Sequence, residues 1–335
     1  MLILGWWLLP ITLFHLVPLS LDALAWRELL PASSRPGVFY VVWNRWIRES
    51  INALLPVAGV GGEIAGARLV HRRGVPGAKA AAAMVVDITV GVATQLVFVV
   101  AGVTVLAARS STHAVVAVAW ATLMGIAVFV AAIATFVLVQ HRSMFVVLAK
   151  LARRVAPEKW LSGLTDSAPA VDEAVVATYR RSLVLLRANL LRLAGWAVGA
   201  GEIWLVMHFL SRPFSVTDAF VLESLGSGVR AAAFMVPGAL GAQEGGLVLF
   251  GALFGLPADI ALAISLTKRV RELGLGVPGL IAWQWVEGRY LLRRGDDQRS
   301  KTPIDGAIYR DDPVAGDSTR GGKPSASRKS ARRVW

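Results

Sequence analysis

Ala231-Ala232-Ala233-Phe234-Met235-Val236-Pro237-Gly238-Ala239-Leu240-Gly241-Ala242-Gln243-Glu244-Gly245-Gly246 interrupts an apolar helical run with a Pro-Gly break, small residues, an amide and a carboxylate. A second apolar run follows, to Leu256. In a bilayer, freed backbone groups and a charge such as Glu244 are tolerated only where protein or a watery cavity surrounds them. The same grammar occurs in Leu54-Leu55-Pro56-Val57-Ala58-Gly59-Val60-Gly61-Gly62-Glu63. In both stretches a Pro is followed seven residues later by a Glu, with glycines between (Pro56 to Glu63, Pro237 to Glu244). Paired, Gly/Pro-interrupted hydrophobic segments in the two halves of a membrane chain point to a transporter's binding site.

The rest of the chain fits a membrane setting. Of its 335 residues 55% are hydrophobic, the mean hydropathy is +0.58, and several runs approach the roughly 20 residues that span a bilayer. The fold class read here is an all-α polytopic integral membrane protein. Cysteine is absent, which excludes disulfides, thiol nucleophiles and Cys-ligated metals. The histidines at 15, 71, 113, 141 and 208 have no metal-site spacing, so neither metal nor cofactor is expected. The net charge of +13 invites a nucleic-acid partner. Lys and Arg instead cluster in a few polar segments, as the orientation rule for membrane proteins requires, so anionic lipid headgroups are the expected counterpart and nucleic acid is not.

Residues 1–26 read as one span ending at the anchor Trp26-Arg27, without the basic start or cleavage site of a signal peptide, and with Asp22 at the interface. Over 37–56, Arg45, Arg48, Glu49 and Asn52 fall at i, i+3, i+4 and i+7 and share a face. An interfacial helix accounts for the Trp and Arg content; a re-entrant helix lining a groove also accounts for Pro56 and Glu63, and is favoured. The run 80–108 carries Asp87 and Gln95 two turns apart on one face; Asp87 near a helix start also suits the helix dipole. Residues 114–140 form a featureless span of the kind that faces lipid, and Met144 to Val155 an amphipathic surface segment. The span 183–210 has Arg187 and Arg192 placed to snorkel to headgroups and Glu202 deeper, in need of a partner. The second broken unit, 217–256, has the stripe Glu223, Ser227, Arg230 and Phe234. The last span, 258–288, holds Lys268, Arg269, Arg271 and Glu272 in its middle, where each charge on a lone helix costs roughly 2.5–3.5 kcal/mol. Residues 291–335 read as a disordered basic tail after a membrane domain over 1–290.

Charge sets the orientation. Segments 64–79, 141–182 and 289–335 hold 4, 7 and 12 of the 35 Lys and Arg; the short loops 109–113 and 211–217 hold one each. The rule places the former inside and the latter outside, with a cytoplasmic C-terminus. The first broken unit then enters and leaves from the inner side and the second from the outer side, the pattern of an inverted repeat of two re-entrant units.

Several segments resemble a known family. Asn52-Ala53-Leu54-Leu55-Pro56-Val57 with Gly61-Gly62-Glu63 and Ala67-Arg68-Leu69 looks like the first signature of the flippase-like membrane domain of lysylphosphatidylglycerol synthases, and Arg230 to Gly246 looks like the second. Arg73-Gly74-Val75-Pro76-Gly77, Val86-Asp87-Ile88-Thr89, Ala261 to Leu266 with Arg269 and Arg271-Glu272, and Val277-Pro278-Gly279-Leu280 support it; the wording is nearest the hopanoid-associated HpnL branch. The resemblance implies a bacterial inner-membrane protein that moves, or helps deliver, an amphiphilic lipid, a hopanoid or an intermediate for that branch. The tail is too short and polar to fold as the aminoacyl-transferase domain of the bifunctional relatives, so lipid lysylation is not expected. The family usually carries a further span before the one that starts here at Met1.

Three functions follow. A lipid flippase would solvate a headgroup in a groove lined by Arg45, Arg48, Glu49, Asn52, Pro56, Glu63, Asp87, Glu223, Arg230, Pro237, Gln243, Glu244, Lys268, Arg269, Arg271 and Glu272, taking a hopanoid or an anionic phospholipid, with a homo-oligomer left open. A membrane-embedded transferase would use Glu63 and Glu244 as acid and base, but no aspartate-rich metal motif, nucleotide loop or activated nucleophile accompanies them, so no catalytic residue is assigned. A scaffold for soluble enzymes would use the 141–182 loop and the tail.

Overall fold

The computed structural model describes residues 5–56, 60–109, 158–233, 236 and 239–300, with scattered residues between 120 and 146. The featureless span, the surface segment Met144 to Val155, Pro237, Phe234 and residues 301–335 lie wholly or largely outside the described residues. Among those described, every regular element is a helix: α1 (Leu8–Phe14), α2 (Leu16–Leu29), α3 (Val38–Leu54), α4 (Gly61–His71), α5 (Gly77–Arg109), α6 (Glu158–Tyr179), α7 (Ser182–Gly199), α8 (Gly201–Phe209), α9 (Val216–Ala232), α10 (Ala242–Ala252) and α11 (Ala258–Ser300), with a single 3-10 turn at Ala32–Ser34. The all-α class stands. Among the described residues, three stretches are long and apolar enough to cross a membrane, Leu8–Leu29, Gly77–Arg109 and Ser182–Phe209.

The first span is jointed at His15, between α1 and α2, and the third at Ala200, between α7 and α8. The charged run in the last segment does not split it into two shorter pieces: α11 passes through Lys268–Glu272 and carries Pro278 within it. It also continues to Ser300, so the first part of the expected disordered tail is helical. A compact unit ends at Glu287.

Both breaks separate a long helix from a short one. α3 and α9 have 17 residues each, α4 and α10 have 11 each, and α3 packs on α4 as α9 packs on α10. Glycine makes the first pairing close: a Cβ on Gly62 would sit 2.2 Å from the Arg48 carbonyl oxygen, and one on Gly66 2.6 Å from Arg48 Cδ. The second break uses left-handed backbone, with φ of +49° at Ala239 and +79° at Gly241. Only glycine adopts that region without steric cost.

Apolar clusters lie on either side of a polar layer. Ala23, Trp26 and Leu29 of α2, Val70 after α4's last turns begin, Ala80 to Val90 of α5 and Ala188 of α7 form one core. Ile11 of α1, Ile203 to Met207 of α8, Leu222 of α9, Leu247 of α10 and Ile264 of α11 form another. His15 and Asp22 fall between the two cores along α1–α2, as Arg192 and Glu202 do along α7–α8. At 1.5 Å per residue, Arg271 is about 20 Å along α11 from Ala258 and about 24 Å from Glu287, near the middle of that stretch. The ends carry their own pairs: Arg72 meets Glu287 at one, and Arg109 meets Asp218 at 2.7 Å at the other. Those pairs bring the end of α4 to the far part of α11 and the end of α5 to the first turn of α9.

Candidate functional site

A cavity of about 500 Å³ opens in the polar layer. Its wall takes Arg45, Glu49 and Asn52 from α3, Pro56 from the first break, Glu223, Ser227 and Arg230 from α9, Gln243 from α10, and Lys268, Arg271 and Glu272 from α11. The two broken units therefore share one pocket, and three of the four α3 stripe residues, Arg45, Glu49 and Asn52, line it. The polar arm 63–73 lies in α4 as far as His71, and α4 packs on α3.

The lining cations are all engaged. Arg45 donates to Asp22 at 2.9 Å, Arg230 to Glu272 at 2.5 Å, Lys268 to Glu223 and Arg271 to Glu202. The remaining lining carboxylate, Glu49, is 2.8 Å from His15 Nε2. Ion pairing is what makes such charges bearable at this depth, since each isolated one is expensive. The side chains of Arg230 and Glu49 remain 38% and 34% exposed.

Each break is also stapled in a matching way. Asn52, fifteenth in α3, accepts at 2.8 Å from the backbone N–H of Gly62, second in α4. Arg230, fifteenth in α9, donates at 2.9 Å to Gln243, second in α10. Glu63 and Glu244 are third in their short helices.

Not every expected site residue reaches the cavity. Arg48, Glu63 and Asp87 form a buried network behind α3: Arg48 donates to Glu63 and, at 2.7 Å, to Asp87, and its guanidinium lies 4.8 Å from the Trp26 ring centroid. Asp87 is eleven residues into α5, beyond reach of the helix dipole that its position suggested. Glu244 turns back onto the break, accepting from the Gly241 N–H at 2.7 Å, from Ser265 at 3.2 Å and from Arg269 at 3.2 Å. Arg269 continues to Glu272 at 3.1 Å and lies outside the lining. Pro237 lies outside the described residues.

Two expectations are corrected. Asp22 is not interfacial: it bridges Arg45 and Arg192 and lines the cavity. Arg192 does not snorkel; it is buried against Asp87. The neighbours Arg48–Glu49 and Arg271–Glu272 are not primarily mutual partners. Successive helix residues point about 100° apart, so each of the four finds its main partner on another helix. Sequence reasoning also missed His15 as a site residue and the partners of Glu202, which are Arg271 and His15. One signal was present: His15 and Asp22 are seven apart, two turns along one face.

A family model, the lysylphosphatidylglycerol synthase TM region, matches residues 3–279. The chain belongs to that family. The match spans both broken units and every charged residue of the cavity, so this family of membrane proteins with a lipid-related role is where the pocket has to be understood. No curated protein and no solved structure matches the chain.

Proposed function

We propose that the protein moves an amphiphilic lipid across the bacterial cytoplasmic membrane, holding its headgroup in the cavity while the apolar body stays in the bilayer. The observation that carries this reading is a pocket with nine ionisable lining groups besides His15, lined by both broken helix pairs, in a lipid-related membrane family. The matched lengths and matched staples of the two pairs support an inverted repeat, the geometry on which alternating access is built.

Headgroup chemistry follows from the pairing. With each lining cation already held by a carboxylate, an anionic phosphate must break an ion pair to bind. A polyol or zwitterion inserts among the pairs and finds donors and acceptors together. A hopanoid with a hydroxylated side chain fits better than an anionic phospholipid. Transport is favoured over transferase chemistry because Glu63 is committed to Arg48 and Glu244 to the Gly241 backbone, which leaves neither poised as acid or base. We assign the C-terminus to the cytoplasm on the positive-inside rule.

Reconstituted vesicles carrying a fluorescent lipid with a quenchable polyol headgroup test this. Wild-type protein is expected to expose inner-leaflet label to an external quencher, and Arg230→Ala and Glu272→Ala to lose most of that movement. Undiminished movement in both variants would remove the cavity from the account.

A further inference from the structure

We propose that His15 is a proton-binding site of the cavity and that its protonation changes the partner of Arg271. His15 occupies the joint between α1 and α2. Groups from three other elements face it. Glu49 of α3 is 2.8 Å from Nε2, Arg271 Nη1 of α11 is 2.7 Å from Nδ1, and Glu202 Oε2 of α8 is 3.6 Å from Nδ1. Lys268, Glu223 and Glu272 complete the charged surroundings through their own pairs with this group of residues.

A guanidinium has only N–H donors, so Nδ1 accepts from Arg271 and the imidazole is neutral, with its proton on Nε2 directed at Glu49. In this arrangement Nδ1 cannot carry a proton without setting two donors against each other. Adding a proton from cavity water to the Nδ1 lone pair therefore expels the Arg271 N–H. The new Nδ1–H takes Glu202 as its acceptor. Arg271 turns toward Glu272, whose Oε1 is already 3.8 Å from Nη2. The charge balance runs the same way: with His15 neutral, the lining holds Asp22, Glu49, Glu202, Glu223 and Glu272 against Arg45, Arg230, Lys268 and Arg271, one negative charge in excess. One proton removes the excess. Since Arg230 also holds Glu272, the exchange reaches the second broken unit.

That this proton is coupled to lipid movement rests on the transport reading above; that His15 binds it does not. Full-length protein with ¹⁵N-labelled histidine, reconstituted in nanodiscs, is followed by NMR from about pH 8 to about pH 5, the range in which imidazoles titrate. His15 is assigned as the signal lost in His15→Gln. If that variant does not fold, it is the signal that persists when His71, His113, His141 and His208 are replaced by Gln. The expected result is an Nε2–H neutral ring at high pH that becomes doubly protonated at low pH. A ring that stays in one form throughout overturns the proposal. In vesicles, lipid movement by the wild type should change across the same pH range and His15→Gln should lose that dependence; an unchanged dependence overturns the coupling. Wild-type vesicles that move no lipid while the NMR transition is present would overturn the transport reading and leave the proton site standing.

Discussion

Arg48 and Arg192 hold five helices together through three carboxylates. Arg48 on α3 reaches Glu63 on α4 and Asp87 on α5; Arg192 on α7 shares Asp87 and also meets Asp22 on α2 at 3.3 Å. Removing one member strands the others where water does not reach, and a buried charge left alone costs about 3–5 kcal/mol. Arg48→Met and Arg192→Met should therefore lower the melting temperature in mild detergent sharply. Arg187→Met, at an exposed position, should leave it nearly unchanged. At this scale the sequence was legible for residue type and depth but not for partner. The acids and bases of α3 and α11 stand out against an apolar background, yet which helix answers each is a tertiary fact. His15 carried only the weak signal of its two-turn spacing to Asp22, because a histidine in an apolar run shows its role only once Glu49 and Arg271 are brought to it.

The broken pairs depend on close backbone approach, which makes the glycines unequal. A Cβ at Gly62 meets a carbonyl oxygen at 2.2 Å and a carbonyl carbon at 2.9 Å, groups that cannot swing aside. At Gly245, one helix turn into the other short arm, a Cβ meets nothing within 4 Å. Gly62→Ala should destabilise the protein and impair lipid movement, while Gly245→Ala should be neutral or mildly stabilising, as Ala is the better helix former by roughly 1 kcal/mol. Thermal unfolding of both variants beside wild type decides it. Helix-scale features were the most readable from sequence: Pro-Gly breaks, period-3.6 polar stripes and the depth of the charges on α11 all follow from local chemistry. The joints at His15 and Ala200 were not, since neither site has the Pro-Gly signature of the two main breaks.

Among the described residues the two larger apolar cores lie on either side of a charged layer, and that layer distinguishes the protein from a plain helical bundle. Orientation can be checked directly because the chain has no cysteine. With Lys79→Cys and Thr217→Cys, both exposed positions, a membrane-impermeant maleimide applied to intact cells should label Cys at 217 and not at 79. The reverse pattern would invert the proposed topology. Family membership and membrane class were legible in the two signature stretches; the enclosure of the cavity was not, because it requires α2, α5, α7 and α8 to close around the two broken pairs. The central claim is that those pairs jointly hold a lipid headgroup at mid-depth. Cryo-electron microscopy of the protein in lipid nanodiscs supplemented with a polyol-headgroup lipid tests it most directly. The account predicts ordered headgroup density within hydrogen-bond reach of Arg230 and Glu272, with the lipid tail leaving between the helices. Lipid density confined to the outer belt, around a cavity that holds only water, would contradict it.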